Sequence, residues 1–253
     1  RRADFSPMQT RLLPRLRVLG VGAILLGFAS VAQAAGALAI GLVGDSTVCD
    51  YAAHSPMRGW GQMLPEYLPA GTRVINQAKG GASTKTFPVE RWEKVLAAKP
   101  DLVLIQFGHN DSHAKDKPES TDAATDYRDN LRRYVTEARE AGVEPVLVTP
   151  VRRRLFRADG TLTSELAAYA DAMKAVAAEM KVRVIDLHAT SGELYTRLGE
   201  EGSTHFTINK TDNADRPGKG DRTHFTPAGA REMARLVAED LARLDPRFAK
   251  PAR

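Results

Sequence analysis

Four short stretches concentrate the residues of this chain that could make and break bonds: "GDST" (Gly44–Thr47), "NQAKGGAS" (Asn76–Ser83), "GHND" (Gly108–Asp111) and "DRTHF" (Asp221–Phe225). A serine hydroxyl is a weak nucleophile until a base takes its proton, and histidine titrates in the right range to do so. Ser46 is the candidate nucleophile and His224 the candidate base. Asp221, three residues earlier, is spaced to hold the other imidazole nitrogen and to stabilise the imidazolium. A developing oxyanion needs fixed donors. The backbone N–H groups of Ser46 and Gly81 and the side-chain amide of Asn110 are the candidates. Gly81 suits the task because a residue without a Cβ lets its backbone approach a ligand closely. Together these residues are a kit for acyl transfer.

Other residue types compete for the same roles. "STHFT" (Ser203–Thr207) nearly repeats "RTHFT" (Arg222–Thr226), but the residue three before His205 is Gly202, not an acid. His205 is therefore expected in a loop, His188 as pocket wall or structure, and His109 as a group that orients its neighbourhood. Asp111 is expected to secure the turn. A dinuclear metal site would want a glycine-asparagine-histidine order with further spaced aspartates and histidines, and "GHND" reverses it. With one cysteine and scattered histidines there is no zinc-ligand spacing either, so neither metal nor organic cofactor is expected. Cys49, the single cysteine, has no intramolecular disulfide partner and reads as a small buried apolar residue. Arg152, Arg153, Arg154 and Arg157 form a basic run. Guanidinium groups suit carboxylates, which makes Arg152 and Arg153 candidate substrate contacts. Trp60 would stack on a sugar ring or pack in the core.

These residues need elements to bring them together. Short runs rich in Val, Ile and Leu lie at Leu38–Val43, Arg73–Gln77, Leu102–Phe107, Val143–Thr149 and Val182–Leu187. Helical patterns stand between and after them at Trp60–Leu68, Val89–Ala98, Ala123–Ala141, Ser164–Met180 and Pro227–Leu244. Continuous apolar strands alternating with helices indicate a parallel sheet covered on both faces, with right-handed crossovers. Gly142 reads as a helix-ending glycine, and Thr226-Pro227 as an N-cap followed by proline at N1. Two long segments, Val151–Thr163 and Gly199–Thr223, read as irregular, and loops of that length are usually functional or mobile. In an open α/β sheet, ligands bind outside the carboxyl ends of the strands, where three of the four stretches begin.

The first 34 residues read differently. Arg11, Arg15 and Arg17 precede "VLGVGAILLGFASV" (Val18–Val31), and "AQA" (Ala32–Ala34) follows, which is the pattern of a cleaved secretory leader, the alternative being an uncleaved N-terminal anchor. Met8 is a natural start codon, with residues 1–7 upstream of it. Setting aside the five arginines and one aspartate of residues 1–34 leaves 31 basic and 30 acidic residues, a net charge of +1. No nucleic-acid footprint remains in that balance. Residues 35–253 are expected to form one domain, periplasmic or extracellular, away from the membrane once the leader is gone.

"GDS" after the first strand, glycine after the second, "GHND" after the third and "DxxH" before the last helix are four blocks in order. They resemble the SGNH (GDSL-type) hydrolases over roughly Leu38–Leu244, matching Ser46, Gly81, Asn110, Asp221 and His224. "GDSTVCDY", "GWGQML" (Gly59–Leu64), "TPVRRRLF" (Thr149–Phe156), "IDLHATSGELY" (Ile185–Tyr195) and "THFTPAGA" are similar to the rhamnogalacturonan acetylesterase branch. The resemblance implies a three-layer αβα sandwich on a five-stranded parallel sheet, flavodoxin-like. It implies a serine esterase that removes O-acetyl groups from a plant cell-wall polysaccharide or its oligosaccharides; a monomer is expected. The rivals are a lipase, thioesterase or lysophospholipase on the same fold, and a catalytically silent carbohydrate-binding protein.

Overall fold

In the computed structural model, residues 38–208 and 220–251 are described. The leader expected over residues 1–34 lies outside them. Five strands, β1 (Ala39–Gly44), β2 (Arg73–Asn76), β3 (Leu102–Gln106), β4 (Glu144–Val148) and β5 (Arg183–Ile185), pair in parallel in the order β2-β1-β3-β4-β5. Every residue of β1 and β3 is buried, as their unbroken apolar runs require of central strands covered on both sides. Side-chain alternation then divides the core. Leu102 and Leu104 of β3 face one layer, Val103 and Ile105 the other.

The layers follow from the crossovers. Helices α1 (Trp60–Met63), α5 (Leu187–Gly202) and α6 (Pro227–Leu244) pack on the first face through Trp60, Leu194, Met233 and Val237. Helices α2 (Val89–Ala97), α3 (Asp126–Glu140) and α4 (Ala167–Met180) cover the second through Trp92, Leu131, Tyr134 and Val176. The result is the three-layer sandwich on a five-stranded parallel sheet. Strand order reverses between β1 and β3, the switch point where a crevice opens at the carboxyl end of such a sheet. Gly44 and Gln106 are register partners, so these two strands end level.

Caps behave as the sequence indicates at α6: Pro227 is at N1 and the Thr226 hydroxyl accepts from the Gly229 N–H at 3.2 Å. Three elements depart from expectation. The run at Trp60–Leu68 becomes α1 followed by a 3₁₀ turn, Leu64–Tyr67, because Pro65 has no N–H to extend the α-helical ladder. The fifth strand stops at Ile185, since the Asp186 side chain accepts from the Ala189 N–H at 3.2 Å and opens a helix. That helix, α5, was not expected. Its non-helical residue Gly199 (φ 69°) coincides with the start expected for the irregular segment, and a further turn runs beyond it.

Candidate active site

The loop after β1 carries Ser46 on a tight turn, in which the Asp45 carbonyl accepts from both the Val48 and Cys49 N–H groups at 3.1 Å. The Ser46 carbonyl accepts from the Tyr51 hydroxyl at 2.8 Å, so the backbone of Ser46 is fixed from behind. Beneath it runs a buried polar chain. The Trp60 indole donates to Gln106 Oε1 at 2.8 Å, and Gln106 Nε2 donates to the Thr47 hydroxyl at 2.7 Å. That hydroxyl donates to Asp45 Oδ1 at 2.7 Å, and His109 Nδ1 stands 3.3 Å from Asp45 Oδ2. Burial pushes the Asp45 pKa up, but the His109 ring beside it and the two Thr47 bonds outweigh that, so it is lowered.

Ser46 Oγ lies 2.9 Å from His224 Nε2, and His224 Nδ1 lies 2.7 Å from Asp221 Oδ2. The other Asp221 oxygen accepts from the His224 and Thr223 N–H groups at 2.9 and 3.0 Å, which locks the Asp-x-x-His turn. On either side, the His224 carbonyl accepts from Ile208 N–H and the Phe225 carbonyl from Arg58 N–H, both at 3.1 Å. Burial works against a charged His224, yet the Asp221 hydrogen bond and charge, helped by Asp45, raise its pKa above the ordinary 6.5. Burial likewise opposes the Asp221 charge, and the bonds from His224 and Thr223 overcome it, lowering its pKa. A base that is oriented and a hydroxyl within its reach are what proton removal from serine needs.

Asn110 comes from the loop after β3. Its amide donates to the Ala82 carbonyl at 2.8 Å, which fixes the group and leaves the second N–H of that nitrogen without a partner among the described residues. The Ala82 bond also ties this loop to the turn after β2. There Gly81 adopts φ +78°, open to glycine, and the turn closes by an Ala82 N–H bond to the Lys79 carbonyl at 3.2 Å. The turn abuts Ser46, since a Cβ at Gly80 would stand 3.8 Å from Ser46 Cβ. Gly81 itself lines a neighbouring depression with Lys79, Thr86 and Pro118, and is not in the wall of the Ser46 cavity. Asp111 holds the loop. Its Oδ1 accepts from the Thr84 and Thr121 hydroxyls at 2.5 and 2.9 Å.

Ser46, His109, Asn110, Asp221 and His224 open into one cavity of about 410 Å³, whose wall also includes His113, Lys117, Arg153 and Arg222. Among the described residues, Ala114 is the single aliphatic side chain in that wall. Among the described residues, no group of three or more His, Cys, Asp or Glu is placed to hold a metal ion. Cys49 is buried, and burial pushes its thiol up to about 11, so it carries no competing thiolate.

Some expected residues are elsewhere. Trp60 is fully buried and bonded to Gln106, so the sugar-stacking role is corrected to a structural one. The arginine run splits: Arg153 reaches the cavity, Arg152 lines a separate depression, Arg154 is buried with Nη1 on the Glu200 carbonyl, and Arg157 is exposed. His205 sits exposed on a 3₁₀ turn, its ring against Phe206. His188 is buried between the Pro150 carbonyl and the Ser164 hydroxyl, each at 3.1 Å. Sequence reasoning missed Thr47 and Gln106 as supports, and Lys117 and Arg222 as cavity wall. Gln106 left a signal, as the one polar residue in "LVLIQ".

The model of the GDSL-like Lipase/Acylhydrolase family matches residues 42–232. The chain is 42% identical to the rhamnogalacturonan acetylesterase RhgT of Bacillus subtilis, over 80% of this chain and 89% of that protein. It is also 42% identical to the probable rhamnogalacturonan acetylesterase YesY of the same organism, over 80% of this chain and 92% of that one. The crystal structure of the YxiM protein of Bacillus subtilis superposes with a TM-score of 0.71 at 31% identity, covering 82% of this chain and 57% of YxiM.

Proposed function

The chain belongs to the GDSL-like lipase/acylhydrolase family, and from that premise we propose a serine esterase that removes O-acetyl groups from a plant cell-wall polysaccharide, rhamnogalacturonan. The observation that carries the reading is the continuous relay from Ser46 Oγ through His224 to Asp221, at 2.9 and 2.7 Å, inside a polar cavity. His224 Nε2 takes the Ser46 proton as Oγ attacks the acetyl carbonyl, and Asp221 stabilises the imidazolium. The Ser46 N–H group and the free Asn110 amide hydrogen receive the negative charge that develops on oxygen. Collapse returns the proton to the departing sugar hydroxyl and leaves an acetyl-enzyme. Water, activated by the same imidazole, then releases acetate.

The choice of acetyl over a long acyl chain is supported by the cavity, in whose wall no aliphatic side chain larger than Ala114 stands among the described residues. The choice of rhamnogalacturonan is supported by the two relatives at 42% identity that carry that name. In this reading the protein is exported by cleavage after Ala34, works as a monomer in the periplasm or outside the cell, and takes acetylated polysaccharide or oligosaccharide.

Acetate release from acetylated rhamnogalacturonan, xylan and chitin fragments tests the substrate, beside p-nitrophenyl esters of two to twelve acyl carbons. Release from the pectic polymer, with ester rates falling steeply beyond four carbons, is expected. Faster turnover of the long esters would favour the lipase reading instead.

A further inference from the structure

Arg152 and Arg153 are neighbours in the chain but line different concavities. Arg153 is in the wall of the Ser46 cavity, whereas Arg152 lines an open depression of about 520 Å³ with Ala189, Gly192, Glu193, Thr196 and Arg197. Successive Cα atoms are only about 3.8 Å apart, so the two concavities are lined from neighbouring points of one backbone segment.

Arg152 is seated with care and left without a partner. Its backbone N–H donates to the Ser191 hydroxyl at 3.1 Å, which fixes the base of the side chain. The guanidinium then lies against α5 over Gly192, where a Cβ would stand 2.9 Å from Nε and 3.0 Å from Cζ. Glycine is a poor helix former, yet here it occupies the middle of a helix and makes the space for that group. Nε is buried with no hydrogen-bond partner. Among the described residues no carboxylate forms an ion pair with Arg152. Asp186, whose charge it feels, is engaged by Lys174 at 3.3 Å and by the Thr149 hydroxyl at 2.9 Å. Burial lowers the Arg152 pKa, so the protein disfavours this charge rather than compensating it.

With Nε buried against the helix, a ligand meets the Nη atoms, and a planar guanidinium is matched by a bidentate carboxylate. The depression carries Arg152, Arg197 and Glu193, a balance that suits one monoanion better than a densely charged group. We propose that Arg152, held on Gly192, is a subsite for a uronate carboxylate in the polysaccharide chain whose acetyl ester lies at Ser46. This deepens the reading of the site as a polysaccharide esterase and rests on it.

Calorimetric binding by the full-length protein tests the subsite without turnover. The probes are an unacetylated rhamnogalacturonan oligosaccharide and the same oligosaccharide with its uronates reduced to neutral sugars. The unsubstituted protein is expected to bind the acidic probe more tightly. Arg152→Ala should weaken that binding roughly 10- to 100-fold, the worth of a charged hydrogen bond, to the level of the reduced probe. Arg152→Lys should fall between, and Gly192→Ala should follow Arg152→Ala by pushing the guanidinium off the helix. Equal binding of both probes, no binding of either, or an equal loss on both in Arg152→Ala would overturn the proposal. Acetate release from the acetylated polymer is scored separately. Its absence beside carboxylate-dependent binding would sink the esterase reading and leave the subsite standing.

Discussion

In the proposed reaction His224 must be neutral to take the Ser46 proton, so its pKa sets the acid limb of the rate profile. Asp221 raises that pKa, which places the midpoint of kcat/KM above 6.5, with activity lost as pH falls through it. In Asp221→Asn the supporting charge is gone, so the limb should move to lower pH while kcat drops by on the order of 10⁴-fold, the usual consequence of a mis-set tautomer. A limb that stays in place would show that Asp221 does not act on His224. Ser46→Ala, His224→Ala and the double variant should be about equally inactive, because the pair acts as a unit. Multiplicative losses in folded protein would contradict this, and His205→Ala should retain most activity. Asn110→Ala should lower kcat roughly 100- to 1,000-fold with KM nearly unchanged, since an oxyanion donor acts as charge develops. Counting intact sites with a covalent serine inhibitor corrects for any misfolded fraction, and a corrected kcat near that of the unsubstituted protein would remove the assignment. The residues these variants alter were legible because chemistry restricts residue type and spacing. Arg152 and Arg153 were not separable, because adjacent residues in a loop can face opposite ways and no period says which.

At the scale of the element, the turn that carries Ser46 is supported from below by β3 and α1, through Gln106 and Trp60. Trp60→Phe keeps most of the ring packing but leaves Gln106 Oε1 buried without a donor. Such a loss costs about 1–3 kcal/mol, readable as a lower urea midpoint. KM for polysaccharide should not change, as the ring is sealed in the core; a raised KM with unchanged stability would restore the stacking role. The strands and most helices were legible to within a few residues at their ends, because burial on two faces leaves an unbroken apolar run and burial on one leaves a 3.6-residue period. Helix α5 was not. Thr190, Ser191 and Gly192 are weak helix formers at its centre, and what holds it is tertiary: Leu187, Leu194 and Tyr195 packed into the core shared with α6. The same weak centre is where Arg152 rests.

The whole molecule follows from one topological fact. Strand order reverses between β1 and β3, so the loops that leave them, carrying Ser46 and Asn110, meet at a crevice, and the segment before α6 closes it with His224. The alternation of strand and helix indicated this sandwich, whereas strand order itself leaves no local pattern to read. Holding the crevice together has a stability cost at Asp111, which joins the β3 loop to Thr84 and Thr121. Burial raises its carboxyl from 3.8 to about 6, only partly countered by those hydroxyls. The folded state therefore binds the proton more tightly than the unfolded chain. Stability contributed by this group is present below about pH 4 and lost as pH rises toward 6. Two pKa units correspond to about 3 kcal/mol, an upper figure for one buried group. Asp45, with its pKa lowered, acts in the opposite sense and below this window. Asp111→Asn keeps an acceptor for the threonines but cannot ionise, so its urea stability relative to the unsubstituted protein should improve by about 1–3 kcal/mol between pH 4 and pH 7. A difference between the two proteins that is flat across that range would mean Asp111 is ionised in the folded state, with the threonine hydroxyls bonded strongly enough to outweigh its burial.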